Sequence, residues 1–283
     1  MPKPILITGF VPGYPNPQLT LEIAKTCQQA GADILELSAS FSEPVADGPT
    51  LQLAHQRVLA SGFTKKQAFD LYHQISRETA SPLFLIEYAN IIYHLGFDCY
   101  YRTAAASGIN YVAVPDVPIE EATPFVASAK KHGLAQIFLI APTTLSVVNG
   151  TLSVPTTPDE RVKKIVQLAL QTTTRTNKLI KTPLPTFLYL VSTTGTTGSR
   201  GQLASDTLSF IKRVRKLTEL PLIVGFGISK KEHIKKIISA GASGAVTCSK
   251  IVDIVHRNQK NPTDMLKTIG NYVQSLKISS LAP

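Results

Sequence analysis

Two carboxylates and three loop openings, two of them glycine-bearing, are the residues of this 283-residue chain whose types and spacing suit chemistry. Glu36 stands between Leu35 and Leu37 in a run of strand character. If the leucines face covering helices, alternation aims Glu36 the other way, into the interior. A carboxylate there is costly unless it is paired, neutralised or functional, and desolvation raises its pKa into the range of acid–base work. A buried ion pair that merely fixes the core is the other reading of Glu36, but no Lys or Arg holds an obvious inward strand position. Asp47 follows eleven residues on, in Ala46-Asp47-Gly48-Pro49. It is the second candidate, although Asp-Gly is also ordinary turn punctuation. Glu87 and Asp116 are further acids that serve equally well as caps or loop anchors.

The loop openings lie at Gly195 to Gly198, at Gly225 to Ser229 (Gly-Phe-Gly-Ile-Ser), and at Thr247-Cys248-Ser249-Lys250. Glycine lets backbone N–H groups approach an anion, and a helix opened by Ser249 presents unsatisfied donors. Three such loops in succession predict a phosphate site.

Those residues need a scaffold. Apolar or β-branched runs occur at Ile5-Val11, Ile34-Leu37, Leu83-Tyr88, Tyr111-Val114, Gln136-Ala141, Thr186-Val191, Leu222-Gly225 and Gly244-Thr247. Between them lie helical patterns: Leu19 to Ala30, Thr50 to Ser76 in two pieces, Gly96 to Ser107, Ile119 to His132, Arg161 to Gln171, Ser205 to Leu217 and Lys230 to Ala240. Strand and helix alternate, the pattern of a parallel sheet with crossover helices. Eight such units predict an α/β fold of one (β/α)8 TIM barrel across residues 1–283. A recurring helix-to-strand connector, Ala30-Gly31-Ala32-Asp33, Ser107-Gly108-Ile109-Asn110 and Ala240-Gly241-Ala242-Ser243, supports a repeated unit. Two polar stretches, 145–157 and 172–185, read as insertions, the second an exposed excursion on the N-terminal side of the barrel that carries no chemistry. In a β/α barrel the site is built by loops at the C-terminal ends of the strands, where the candidates above fall.

Composition excludes several classes. No stretch approaches the roughly 20 apolar residues of a membrane span, and Met1-Pro2-Lys3-Pro4 runs into an apolar strand without signal architecture, so the expectation is a cytoplasmic protein, or a plastid-stromal one if plastid-encoded. Cys27, Cys99 and Cys248 have no paired spacing, which argues against a zinc site or a disulfide framework. The net charge of +10 raises nucleic acid as a partner, but the basic pairs, Lys65-Lys66, Lys130-Lys131, Lys163-Lys164, Lys212-Arg213, Lys230-Lys231 and Lys235-Lys236, fall in amphipathic helices and read as solvated faces.

The ordered motifs resemble one family over nearly the whole chain: Leu35-Glu36-Leu37 with Phe41-Ser42, Pro44 and Ala46 to Pro49; Tyr88-Ala89-Asn90; Asp116-Val117-Pro118; Ala141 to Thr144 with Thr157 to Arg161; Val191 to Gly195 with Thr197-Gly198; and Gly225 to Ser229. This is similar to the α subunit of tryptophan synthase. The resemblance implies a lyase that cleaves indole-3-glycerol phosphate by retro-aldol chemistry to indole and glyceraldehyde 3-phosphate, without metal or cofactor in this chain. Indole then passes to a pyridoxal-phosphate β subunit in an αββα assembly. By the same resemblance Glu36 is the acid–base residue, Asp47 assists at the indole nitrogen and Tyr189 stands near the reacting carbon. A barrel-lining core tyrosine is the plainer reading of Tyr189. Ile86, Phe226 and Thr197 bind the substrate, and Gly198, Gly227, Cys248 and Ser249 hold its phosphate.

The chain departs from the family at Ser38-Ala39-Ser40, where Gly-x-Pro is usual, and at Glu43, where Asp is usual; these positions bear on coupling to the β subunit. Cys248 replaces a glycine, so its side chain stands where it can crowd the anion. The helix that usually precedes the first strand is not in evidence. Two rival readings stay open beside the lyase in an αβ assembly: a catalytically weak barrel that chiefly activates a β subunit, and a stand-alone indole-releasing lyase.

Overall fold

Strands β1 (Ile5–Phe10), β2 (Ile34–Ser38), β3 (Leu83–Ile86), β4 (Ile109–Ala113), β5 (Ala135–Ile140), β6 (Leu188–Val191), β7 (Leu222–Gly225) and β8 (Gly244–Thr247) lie side by side in chain order and close into a barrel. The computed structural model describes residues 3–145, 157–172, 186–191, 205–225 and 227–278. Every pairing is parallel, including the closing pair in which Ile5 lies opposite Gly244 and Thr8 opposite Thr247. The expected TIM barrel is what the chain forms.

Alternation divides each strand between two apolar layers. Ile7, Ile34, Phe84, Tyr111, Ile137, Phe187, Tyr189, Ile223 and Val246 fill the barrel. Leu6, Leu35, Leu37, Leu83, Leu85, Val112, Leu188, Leu190 and Val224 pack outward against the helices. Glu36 is thus in phase with Ile34 on the interior side, as the flanking leucines imply. Its register neighbours are Gly9 on β1 and Phe84 on β3.

Helices α1 (Pro17–Gln29), α2 (Pro49–Ala60), α3 (Lys65–Glu78), α5 (Phe97–Ala106), α6 (Thr123–His132), α7 (Pro158–Ala169), α8 (Ser205–Arg215) and α9 (Lys231–Ser239) fall where the periodicity places them, within a few residues. Local chemistry fixes their starts. Asn16 accepts from Leu19 N (2.8 Å) ahead of Pro17, and Thr64 with Gln67 and Thr157 with Glu160 form capping boxes. The connector glycines Gly31, Gly108 and Gly241 take φ of 105°, 85° and 106°, so each turn back to a strand uses a left-handed residue.

Three features depart from expectation. A short helix α4 (Ala89–Leu95) precedes α5, because Asp116 accepts from Ala89 N at 3.0 Å and satisfies a first-turn donor. The helix expected to open at Ser249 forms as α10 (Ser249–Asn258), and a second closing helix that the periodicity does not place, α11 (Pro262–Leu276), packs on α1 and α10. Finally, Lys65 is no solvated surface charge: its Nζ lies 2.8 Å from Oε2 of buried Glu87. Of the first polar stretch, residues 146–156 lie outside the described residues, as do 173–185 of the second. No helix among the described residues is long and apolar enough to cross a membrane.

Candidate active site

A pocket opens at the C-terminal ends of the strands, lined by Glu36, Ser38, Asp47, Leu51, Ile86, Leu139, Tyr189, Val246, Cys248 and Ser249 among others. Its walls are aliphatic and its polar groups few and convergent, the character of a small-molecule site.

Glu36 sits at the base with 2% of its surface exposed. No cation pairs with it among the described residues, and its buried Oε2 has no hydrogen-bond partner. Burial therefore disfavours the charged form, the negative charge of Asp47 adds to this, and hydrogen bonding with Tyr189 opposes both only partly; the carboxyl is pushed up to about 8. No described residue makes Glu36 half of a core ion pair. Tyr189 holds its proton firmly, its phenol raised by burial and by Glu36. Its place depends on Gly225 beside it on β7, since a Cβ there would stand 2.3 to 2.5 Å from the Tyr189 ring and hydroxyl.

Asp47 reaches the pocket from the loop after β2. Its N–H closes a turn on Pro44 O (2.9 Å), so the turn reading is correct as far as the backbone goes. The side chain has a separate setting. Its Oδ2 accepts from the Tyr88 hydroxyl at 3.1 Å and lies 3.1 Å from His55 Nε2. Tyr88 also takes the Ala46 N–H (3.2 Å) and stacks on Phe41 with ring centroids 4.8 Å apart. Tyr88 and His55 were not singled out from the sequence: Tyr88 was legible only as part of a motif, and nothing about His55 on an apolar helix face marks it.

Glu87 and Asp116 are anchors. Glu87 is buried just past β3, held by Lys65, the Tyr100 hydroxyl (3.3 Å) and Tyr88 N (3.1 Å), while Asp116 caps α4.

At the far wall, α10 begins at Ser249 with no side chain capping it, and Cys248 precedes it. The thiol is turned away from the helix end: it interacts with the Ser38 hydroxyl, and a Cβ built on Gly9 would meet Cys248 Sγ at 2.8 Å and Glu36 Oε1 at 2.7 Å. Cys248 thus fills space beside Glu36, and the crowding expected of its side chain is directed at the barrel interior. Gly227 has φ of 74° and open space where a Cβ would stand. Phe226, Thr197 and Gly198 lie outside the described residues. No group of three or more His, Cys, Asp or Glu suited to a metal occurs among the described residues.

Fold and pocket define a class: a closed β/α barrel with a buried carboxyl at the strand ends, where barrel enzymes hold their substrates. The family model of the tryptophan synthase alpha chain matches residues 2–280. Tryptophan synthase alpha chains of Methanoregula boonei (37% identical, 95% of this chain and 91% of that protein) and Vibrio vulnificus (38%, 93% and 88%) align over almost the full length. Among solved structures, the tryptophan synthase α2β2 complex from Pyrococcus furiosus superposes with a TM-score of 0.80 at 31% identity, covering 98% of this chain and 99% of that one. The isolated α subunit of that organism gives 0.80 at 30%, with the same coverage. The chain belongs to the tryptophan synthase alpha chain family, and is a lyase of tryptophan biosynthesis.

Proposed function

We propose that this chain, as a single domain, cleaves indole-3-glycerol phosphate to indole and glyceraldehyde 3-phosphate, with Glu36 as the acid–base group, and delivers indole to a β subunit. The carrying observation is the buried, uncompensated Glu36 carboxyl, pushed up to about 8 and sharing one pocket with Asp47. At neutral pH such an acid holds its proton and can give it to indole C3. The ring then carries an indoleninium charge, which Asp47 stabilises at N–H. The glyceryl hydroxyl on the carbon bonded to C3 yields its proton to the Glu36 carboxylate; the C–C electron pair returns to the ring, and the aldehyde forms. Glu36 ends protonated, as it began. Tyr189, beside Glu36, flanks the reacting carbon, and Ile86 packs on the indole.

The phosphate is assigned to backbone N–H groups of Gly227, Cys248 and Ser249, with Gly198. Support comes from the uncapped start of α10 and the open left-handed Gly227. The chemistry needs no cofactor in this chain, and pyridoxal phosphate belongs to the β partner.

The test is the rate of indole release from indole-3-glycerol phosphate with and without a β subunit, for the wild type and Glu36→Gln. Turnover raised by the β subunit and abolished in Glu36→Gln is expected. Unimpaired turnover by that variant overturns the mechanism. A high rate without any partner favours the stand-alone lyase, and no rate in either state favours the β-activating role.

A further inference from the structure

We propose that His55 is a positioning residue for Asp47: its Nε2–H and the Tyr88 hydroxyl fix Oδ2 of that carboxylate and leave Oδ1 as the oxygen that meets the substrate's ring N–H. The proposal deepens the functional reading above and rests on it.

His55 lies on the second turn of α2, on the buried stripe with Leu51, Ala54 and Val58, and is 1% exposed. Asp47 lies just ahead of that helix, whose N-cap is Gly48. Helical side chains lean toward the N-terminus, so a residue in this turn reaches back to the loop carrying Asp47. The contact is 3.1 Å from Nε2 to Oδ2. The other ring nitrogen, Nδ1, is buried without a partner. The Asp47 carboxylate only accepts, so Nε2 carries a proton and donates it to Oδ2.

The bonding is one-sided. Tyr88 Oη, itself held by Ala46 N–H, also donates to Oδ2, so both side-chain donors converge on one oxygen. Among the described residues Oδ1 accepts from none. The loop is tied from below as well, since Gln52 Nε2 donates to Asp47 O at 2.9 Å. A core histidine serving only packing has no need to direct Nε2 at a pocket carboxylate.

The experiment compares His55→Leu, His55→Gln and Asp47→Asn, and the combination of His55→Leu with Asp47→Asn, for cleavage of indole-3-glycerol phosphate in the presence of a β subunit. Loss of a hydrogen bond to a charged group predicts a fall in kcat of about ten- to hundredfold for His55→Leu, with KM changed by less than about threefold. Gln, whose amide donates from the same reach, restores most of kcat. In the Asp47→Asn background, His55→Leu costs less than about twofold further. Equal losses in the two backgrounds, or a change confined to KM, overturn the proposal. So does Gln performing no better than Leu, a comparison replaced by Gln against Asn should Leu fail to fold. Wild-type turnover by Asp47→Asn alone overturns the reading of Asp47 itself, which distinguishes that failure from the failure of His55.

Discussion

Replacing Glu36 by Gln should stabilise this protein at alkaline pH while removing its activity. The gap between the ordinary 4.5 of a glutamate and about 8 corresponds to about 5 kcal/mol at roughly 1.4 kcal/mol per pH unit. Because the folded value is the higher one, the folded chain keeps the proton longer than the unfolded chain, and the slope of stability with pH is negative between 4.5 and about 8. Below that window the wild type incurs no ionisation penalty; above it the penalty is complete. Gln keeps the shape and does not titrate, so groups not coupled to Glu36 cancel in the difference between the two proteins. Urea midpoints with their slopes, at pH 5 and pH 9, should show the stability of Glu36→Gln relative to wild type rising by about 3–5 kcal/mol between the two conditions, a range that allows for relaxation around the ionised group. A difference that stays constant across this range would refute the account of Glu36 as an uncompensated buried acid. Retained cleavage would refute its role in the chemistry.

The same acid predicts that kcat/KM falls as pH rises through about 8, since the protonated form starts the reaction; Asp47→Asn should move this limb to lower pH, because the Asp47 charge is the second cause that raises Glu36. A pH profile of both proteins checks it. Lys65→Met leaves Glu87 buried without its cation, and the urea midpoint should report a loss of about 3 kcal/mol, the low end for a broken buried pair because Lys65 is partly exposed. Adding Glu87→Gln should recover most of that. Gly225→Ala drives a methyl into Tyr189, so indole release should drop sharply along with about 1–3 kcal/mol of stability from overpacking.

Much of this was legible before any coordinates. The alternation of Glu36 with two leucines sets which side of β2 it faces, because strand periodicity is local, and the repeated Ala-Gly or Ser-Gly connectors mark the unit that closes into a barrel. Helices α4 and α11 were harder to foresee. The first is anchored by Asp116, 27 positions from Ala89, a contact without local signature. Lys65 reads as surface by its neighbour Lys66, and only the packing of α3 beside the end of β3 brings it to Glu87.

The chain by itself determined the alternation of strand and helix, the inward carboxyl and the family to which it belongs, since all three rest on short-range pattern and motif order. Tertiary structure alone decided that Glu36 meets no cation among the described residues, that the Cys248 side chain turns toward Gly9 and Glu36, and that His55 and Tyr88 meet on one oxygen of Asp47. Apart from the eight-residue span between Asp47 and His55, those facts depend on distances between residues far apart in sequence. Barrel closure sets them, and no local pattern encodes them.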